Sequence, residues 1–347
     1  DSHLTLPTIG FSKERIDEVE LYPFKKLIEN GLDGIMTAHL NIPSLDKNKV
    51  STLSKKVINN LLINDLGFKG LVITDALDMK AIVDFSKGDY PDVSALNAGN
   101  DLLLMPTDVA KSIKELKKAI QKNKISTKTL EKAVKKNLMA KYKSGLNNFK
   151  LIEIENIVED LNQDIDYALL DRLAEDSMTL VKNHNANLPL SISDQKSIGY
   201  INMGDDSYNT FLKYLNKYSK VDHIYQNNKD SLIEISKNYD KVIVGLHKSD
   251  KSPFGEYKFT EEEISIINHL KKITDLTLVV FSKPYSIFDL KIDDIQSILI
   301  AYQNSTVFQE KAAQAIFGAI NVKGKLPVTI NKDIPVNTTI KLKKKRF

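Results

Sequence analysis

Gly67-Phe-Lys-Gly-Leu-Val-Ile-Thr-Asp-Ala-Leu-Asp-Met-Lys-Ala-Ile82 is the stretch whose reading decides how the rest of the chain is organised. A short aliphatic and β-branched run, Leu71-Val72-Ile73-Thr74, breaks off at Asp75, and a helix-forming segment follows. In parallel α/β folds the carboxyl ends of strands carry the chemistry, because the loops there are free to vary while the strands stay rigid. A carboxylate delivered at such a point serves as a nucleophile or an electrostatic clamp. Asp is equally a favoured helix cap. The segment alone leaves both readings of Asp75 open.

Working outward, the chain from Leu21 to Leu146 alternates helical and strand signals with the spacing of repeated βα units. Pro23–Asn30 reads as a helix stopped by Gly31, and Gly34–His39 as a buried strand. Ser54–Leu66 is an amphipathic helix ending at Gly67. A further strand runs over Asp101–Met105 and is closed by Pro106, before helices at Val109–Lys122 and Ser126–Lys143. Three strands therefore end on His39, on Asp75 and at the Met105-Pro106 turn. They are too few to close an eight-stranded barrel.

Residues 148–167 carry Asn, Asp and Glu with weak periodicity and read as a connection between two domains. A second α/β segment occupies 168–335, with a helix at Leu169–Leu180 and strands at Ser197–Asn202, Lys241–Leu246, Leu276–Ser282 and Ser297–Ala301. Its other helices fall at Tyr208–Tyr218, Glu261–Lys272 and Val307–Phe317, so a smaller doubly wound or sandwich-like sheet is expected. Residues 336–347 read as a basic tail.

The chain has 347 residues, 42% of them hydrophobic, a length that calls for about two domains. A net charge of +4 does not demand a nucleic acid, and the Lys341–Arg346 run lacks the interleaved aromatics of a binding surface. With no cysteine, disulfides, thiol nucleophiles and thiolate metal sites are excluded. No apolar run approaches the roughly 20 residues that span a bilayer. The chain begins on Asp1 instead of methionine, so a signal or lipid-anchored segment can precede it. We expect a periplasmic, secreted or lipid-anchored setting over a cytoplasmic one.

Gly318 to Lys325 superficially suggests a phosphate loop, but its spacing is one residue too long and Leu326 stands where Ser or Thr is required. No Gly-x-Gly-x-x-Gly is present, and the six histidines form no metal-ligand pair at helical spacing, so neither a cofactor nor a metal is expected. Asp1-Ser2-His3 sets a carboxylate two residues from an imidazole, a spacing that lets Asp orient the ring, or that is merely a terminus. His39, at a strand end like Asp75, either bonds a neighbouring loop or contacts a ligand. His184, His223, His247 and His269 read as structural or solvated.

Together these segments resemble the family 3 glycoside hydrolases, specifically their β-N-acetylglucosaminidase branch. The resemblance rests on Asp1-Ser2-His3 with Leu6-Pro7, on Ile35–His39, on Leu61–Asp75 with Met79, and on Ala98–Asp101 with Leu104-Met105-Pro106. In the second segment it rests on Leu180–Asn183, Leu188–Leu190 and Ala315–Val328. It implies the C-terminal half of a (β/α)8 barrel over residues 1–147, followed by an α/β sandwich domain, with an upstream half of the barrel expected in the native protein. The resemblance further implies a retaining exo-β-N-acetylhexosaminidase with a carbohydrate substrate, peptidoglycan-type fragments included. Asp75 would be the nucleophile, His3 the acid/base and Asp1 its orienting partner, with His39 and Met79 as substrate contacts. An imidazole does not repel an anionic acceptor, so a phosphorylase is a rival, as is a β-glucosidase. A non-catalytic barrel fragment is the rival of another class.

Overall fold

The computed structural model describes residues 4–86, 90–192, 196–204, 209–225, 228–249 and 255–345. It divides into two compact units, Asp1–Ile152 and Glu153–Phe347, the division falling inside the segment read as a connection.

In the first unit, α1 (Tyr22–Glu29) leads into β1 (Gly34–Thr37), and α2 (Lys56–Asp65) into β2 (Leu71–Thr74). Helices α3 (Lys80–Phe85), α4 (Pro91–Ala98), α5 (Val109–Gln121) and α6 (Thr127–Lys143) follow. Each boundary has a local cause. Pro91 opens α4 and Gly99, in the left-handed region, closes it. The carboxylate of Asp108 caps α5 and the hydroxyl of Ser126 caps α6. Helix α2 has π geometry, and the Leu66 amide at its end reaches back five residues to the Leu61 carbonyl.

Strands β1 and β2 pair in parallel, from Gly34 with Leu71 to Thr37 with Thr74. The expected third strand is reduced to an isolated parallel bridge between Leu102 and Ile73, because Met105 turns to φ 42° just beyond it. The Thr74 amide donates to the Leu102 carbonyl and the Leu102 amide to that of Val72, so this segment still lies along β2. Period-2 alternation sends Ile35 and Val72 into a core with Ile58, Leu62, Phe68 and Ala98. The opposite face is thinly covered: Met36 is 57% exposed. Parallel sheets are ordinarily buried on both faces. Val134, Leu138, Met139 and Tyr142 also lie bare along one side of α6.

The second unit opens with α7 (Ile157–Leu161) and α8 (Asp164–Ser177), so the expected connection is partly helical. Helix α8 starts before Leu169 because Gln163 and Asp166 form a reciprocal capping box. It stops at Ser177, short of the expected end at Leu180, and Thr179–Asn183, β-branched at its start, becomes β3. The remaining elements are β4 (Ile198–Gly204), α9 (Asn209–Leu215), β5 (Val221–His223), α10 (Lys229–Ser236) and β6 (Lys241–His247). Then come α11 (Glu261–Ile273), β7 (Asp275–Phe281), β8 (Ser297–Ile300) and α12 (Thr306–Phe317).

These six strands form one sheet in the order β3-β8-β7-β6-β4-β5, parallel throughout except for β3, which runs antiparallel to β8 at one edge. Apolar clusters cover both faces, one centred on Tyr200, Phe211 and Phe281, the other on Val244, Leu278 and Ile298. The expected basic tail is corrected for the residues described. Ile340 donates to the Leu180 carbonyl, Leu342 exchanges two bonds with Val322, and Lys345 donates to Gly318, so 336–345 is laced onto the unit. Its apolar residues are what the sheet edge uses, while the lysines between them face outward.

Candidate active site

Asp75 follows the last residue of β2, and its amide donates to the Thr37 carbonyl of β1 at 3.0 Å. Its Oδ1 accepts from the Ala76 amide at 2.8 Å, and Oδ2 has no hydrogen-bond partner among the described residues. The residue at the cap of α3 is Met79, four positions further on, with no side-chain cap. Asp75 is therefore no helix cap. It is a half-buried carboxylate at the carboxyl end of a parallel strand, with one oxygen held by backbone and the other free among the described residues.

His39 stands on the neighbouring strand end but is wholly buried. Its Nε2 donates to the Ala76 carbonyl at 2.9 Å, and its Nδ1 meets the Thr52 hydroxyl at 2.8 Å. Both ring nitrogens are used inside the chain, where a substrate contact was expected. Met79, also expected at the substrate, is buried with Val50, Leu53, Leu77, Ile82 and Ala95, as an unbranched, adaptable side chain filling a core. Asp1 and His3 lie outside the described residues. The first described residues of that segment run beside the end of β1, where Asn41 donates to the Pro7 carbonyl and accepts from the Ile9 amide.

Three polar residues that the sequence did not single out complete the neighbourhood. Thr52 is fully buried, and its hydroxyl also lies 2.9 Å from the Ala38 carbonyl. Asn100 is buried, donating to the Thr52 and Ala95 carbonyls at 2.9 and 2.8 Å. Its amide oxygen accepts from the Thr37 hydroxyl at 2.9 Å. Such residue types are ordinary in loops. The one available signal was the place of Asn100 within the Ala98–Asp101 motif on which the family resemblance partly rests.

Elsewhere the histidines serve the fold. In the second unit the Tyr200 hydroxyl lies 2.7 Å from His247 Nε2, and His247 Nδ1 lies 2.7 Å from Asn304 Oδ1, within the core. His269 donates to its own helix at Ser265. Among the described residues no group of acidic or histidine side chains is arranged to hold a metal ion, and no helix is long and apolar enough to cross a membrane.

Residues 1–139 match the family model described as the glycosyl hydrolase family 3 N-terminal domain, and residues 178–346 match that of its C-terminal domain. The chain belongs to glycosyl hydrolase family 3. Among curated relatives, beta-hexosaminidase A of Pseudoalteromonas piscicida is 32% identical over 167 residues, covering 42% of this chain and 28% of that protein. A beta-xylosidase of Formosa agariphila is 26% identical over 379 residues, covering 93% of this chain and 51% of that protein. Among solved structures, a family 3 β-N-acetylglucosaminidase from a Paenibacillus species superposes with TM-score 0.72 at 24% identity, covering 98% of this chain and 65% of that one. A beta-glucoside phosphorylase superposes with TM-score 0.80 at 20% identity, over 96% of this chain and 64% of that one. The chain thus spans about half or less of the curated relatives it matches, and the family 3 fold extends across nearly all of it.

Proposed function

We propose that this chain is the C-terminal part of a retaining exo-β-N-acetylhexosaminidase that releases terminal β-linked N-acetylglucosamine, peptidoglycan-type fragments being the substrate class. The observation that carries the reading is Asp75, held at the end of β2 with one carboxylate oxygen unbonded among the described residues and no helix to cap. The hexosaminidase names among the relatives favour the amino sugar. In this reading Gly34–Thr37, Leu71–Thr74 and the segment at Leu102 belong to the second half of a (β/α)8 barrel, which accounts for a parallel sheet covered on one face.

Asp75 Oδ2 attacks the anomeric carbon as the bond to the aglycone oxygen breaks, giving a covalent glycosyl-enzyme. His3, oriented by Asp1, gives its proton to the departing oxygen and then takes one from the incoming water, which displaces Asp75. An unperturbed imidazole pKa near 6.5 suits a residue that must act as acid and as base around neutrality. The retaining pair is usually two carboxylates about 5 Å apart, so the imidazole is a departure from that pattern.

The test is a slow 2-fluoro glycosyl donor on the full-length protein, followed by peptide mass mapping. A sugar adduct on the peptide containing Asp75 is the expected result, together with a loss of about a thousandfold or more in kcat for Asp75→Asn. An adduct on another residue, or an active Asn variant, overturns the assignment. Turnover that requires inorganic phosphate would replace hydrolase by phosphorylase.

A further inference from the structure

We infer that His39 is a positioning residue for Asp75, and that Thr52 and Asn100 form the buried anchor through which it acts. The inference rests on Asp75 being the nucleophile.

The geometry grips a single short turn from both sides. The amide of Asp75 is fixed to Thr37 of β1, and the carbonyl of Ala76 is fixed to His39 Nε2 at 2.9 Å. Between those two points lies the Ala76 amide, the group that holds Asp75 Oδ1 at 2.8 Å. Fixing the peptide groups before and after the Ala76 amide sets its direction, and so selects which carboxylate oxygen is tied and which is left to attack. The Ala76 carbonyl also accepts from the Met79 amide at 3.2 Å, and the Leu77 amide of the same peptide donates to the Leu104 carbonyl at 3.0 Å, so the His39 bond is the shortest of three ties on this turn and the one that joins it to the end of β1.

The imidazole is itself held from behind. Thr52 meets Nδ1 at 2.8 Å, and the Thr52 backbone carbonyl is fixed by Asn100, which also bonds the Thr37 hydroxyl. The chain of contacts therefore begins and ends on Thr37 and Asp75 and encloses no exposed group: His39, Thr52 and Asn100 are each at most 1% exposed. A buried ring with both nitrogens satisfied by the protein has no edge left for a sugar. Its role is to transmit position, and a misplacement of about 1 Å at a reacting group can cost on the order of a hundredfold in rate.

The experiment is steady-state kinetics of the full-length enzyme on an aryl β-N-acetylglucosaminide, with active sites counted by the 2-fluoro donor so that turnover is expressed per folded site. His39→Phe keeps an aromatic ring, somewhat larger than the imidazole, and removes both bonds; kcat per site should fall about 10–100-fold with KM nearly unchanged. His39→Gln retains a donor for the Ala76 carbonyl and should recover most of that loss. Thr52→Val, a milder change, should lower kcat several-fold in the same direction. Wild-type turnover per site in His39→Phe, or an effect confined to KM, would overturn the positioning role, the latter restoring a substrate contact. So would a fall in thermal stability with normal turnover per site. An active Asp75→Asn variant would instead remove the nucleophile reading on which the inference rests, so the two failures are separable.

Discussion

Replacing Lys136 by Met tests whether the first unit is pinned together by one buried charge pair. The Lys136 ammonium, on α6, lies 2.7 Å from Asp101 Oδ2 and 2.7 Å from the Gly70 carbonyl. Both side chains are sequestered, at 17% and 5% exposure. The same Asp101 oxygen accepts from the Val72 amide at 2.9 Å, so the pair joins α6 to the start of β2 and to the segment beside it. Methionine keeps most of the aliphatic length but leaves the carboxylate buried with that single backbone donor. Breaking a buried pair from one side costs about 3–5 kcal/mol, since the remaining charge is uncompensated. For a unit of this size that corresponds to a fall of roughly 6–20 °C in its melting transition. Differential scanning calorimetry of the full-length protein reads the shift directly. The double variant Lys136→Met with Asp101→Asn should recover part of the loss, because no ionised group is left behind. A control is the solvent-exposed pair of Lys143 and Asp33, 3.7 Å apart, whose disruption should cost under about 1 kcal/mol. A Lys136→Met transition within experimental error of wild type would refute the buried-pair argument.

Two further outcomes are expected. Gly70→Ala would place a Cβ 2.4 Å from the Asp33 carbonyl oxygen and 2.7 Å from the Phe68 ring, forcing β2 away from its partner. Denaturant unfolding should show a loss of about 1–3 kcal/mol. Burial pushes the Asp46 carboxyl up, but the Ser54 hydroxyl, the Asn48 amide and the Lys56 charge together outweigh it and hold the group below its usual 3.8. A depressed carboxyl stabilises the fold above its unfolded pKa, and that contribution is lost as the pH falls through the folded value. Ser54→Ala should therefore destabilise at pH 7, with the gap from wild type narrowing as the pH drops below about 4. The residue of the gap is pH-independent, because Ser54 also accepts from the Val57 amide at the start of α2. An equal gap at pH 7 and pH 3, measured by thermal melts, would sink the Asp46 account.

The elements that could be read from the sequence are those whose pattern is local. Leu71–Thr74 is a continuous aliphatic and β-branched run between a glycine turn and an Asp, and it is a strand at those bounds. Strands β4, β6, β7 and β8 and helices α5, α6, α11 and α12 also follow their apolar periodicities. Helix α4 was not legible: Asp92, Ala95, Leu96 and Ala98 are all buried, so it has no polar stripe to mark it. Strand β3 begins one residue after Met178, too close to a helical pattern for the change of period to show. At the site, Asp75 stood out because a carboxylate closing a buried strand is unusual. The part played by His39 was not legible, since a strand-end histidine looks the same whether it faces a ligand or a carbonyl. Only the distances to Ala76 and Thr52, residues 37 and 13 positions away, separate the two.

The antiparallel edge of the second sheet has a consequence for how the protein is made. Strand β3 finds its partner only when β8 has been synthesised, with Leu180 opposite Leu299, and Leu180 also bonds Ile340. At ribosomal rates of about 5–20 residues per second, some 6–25 s separate the emergence of the two strands. During that interval Thr179–Asn183 is a nascent apolar strand with nothing to pair with, while the parallel strands between β4 and β7 are already available to one another. Assembly of this unit should run from its middle outward, and the strand made first should be among the last to be placed. A ribosome stalled before Ser297 would then hold a chain whose central sheet resists protease while its own N-terminal strand is still cut.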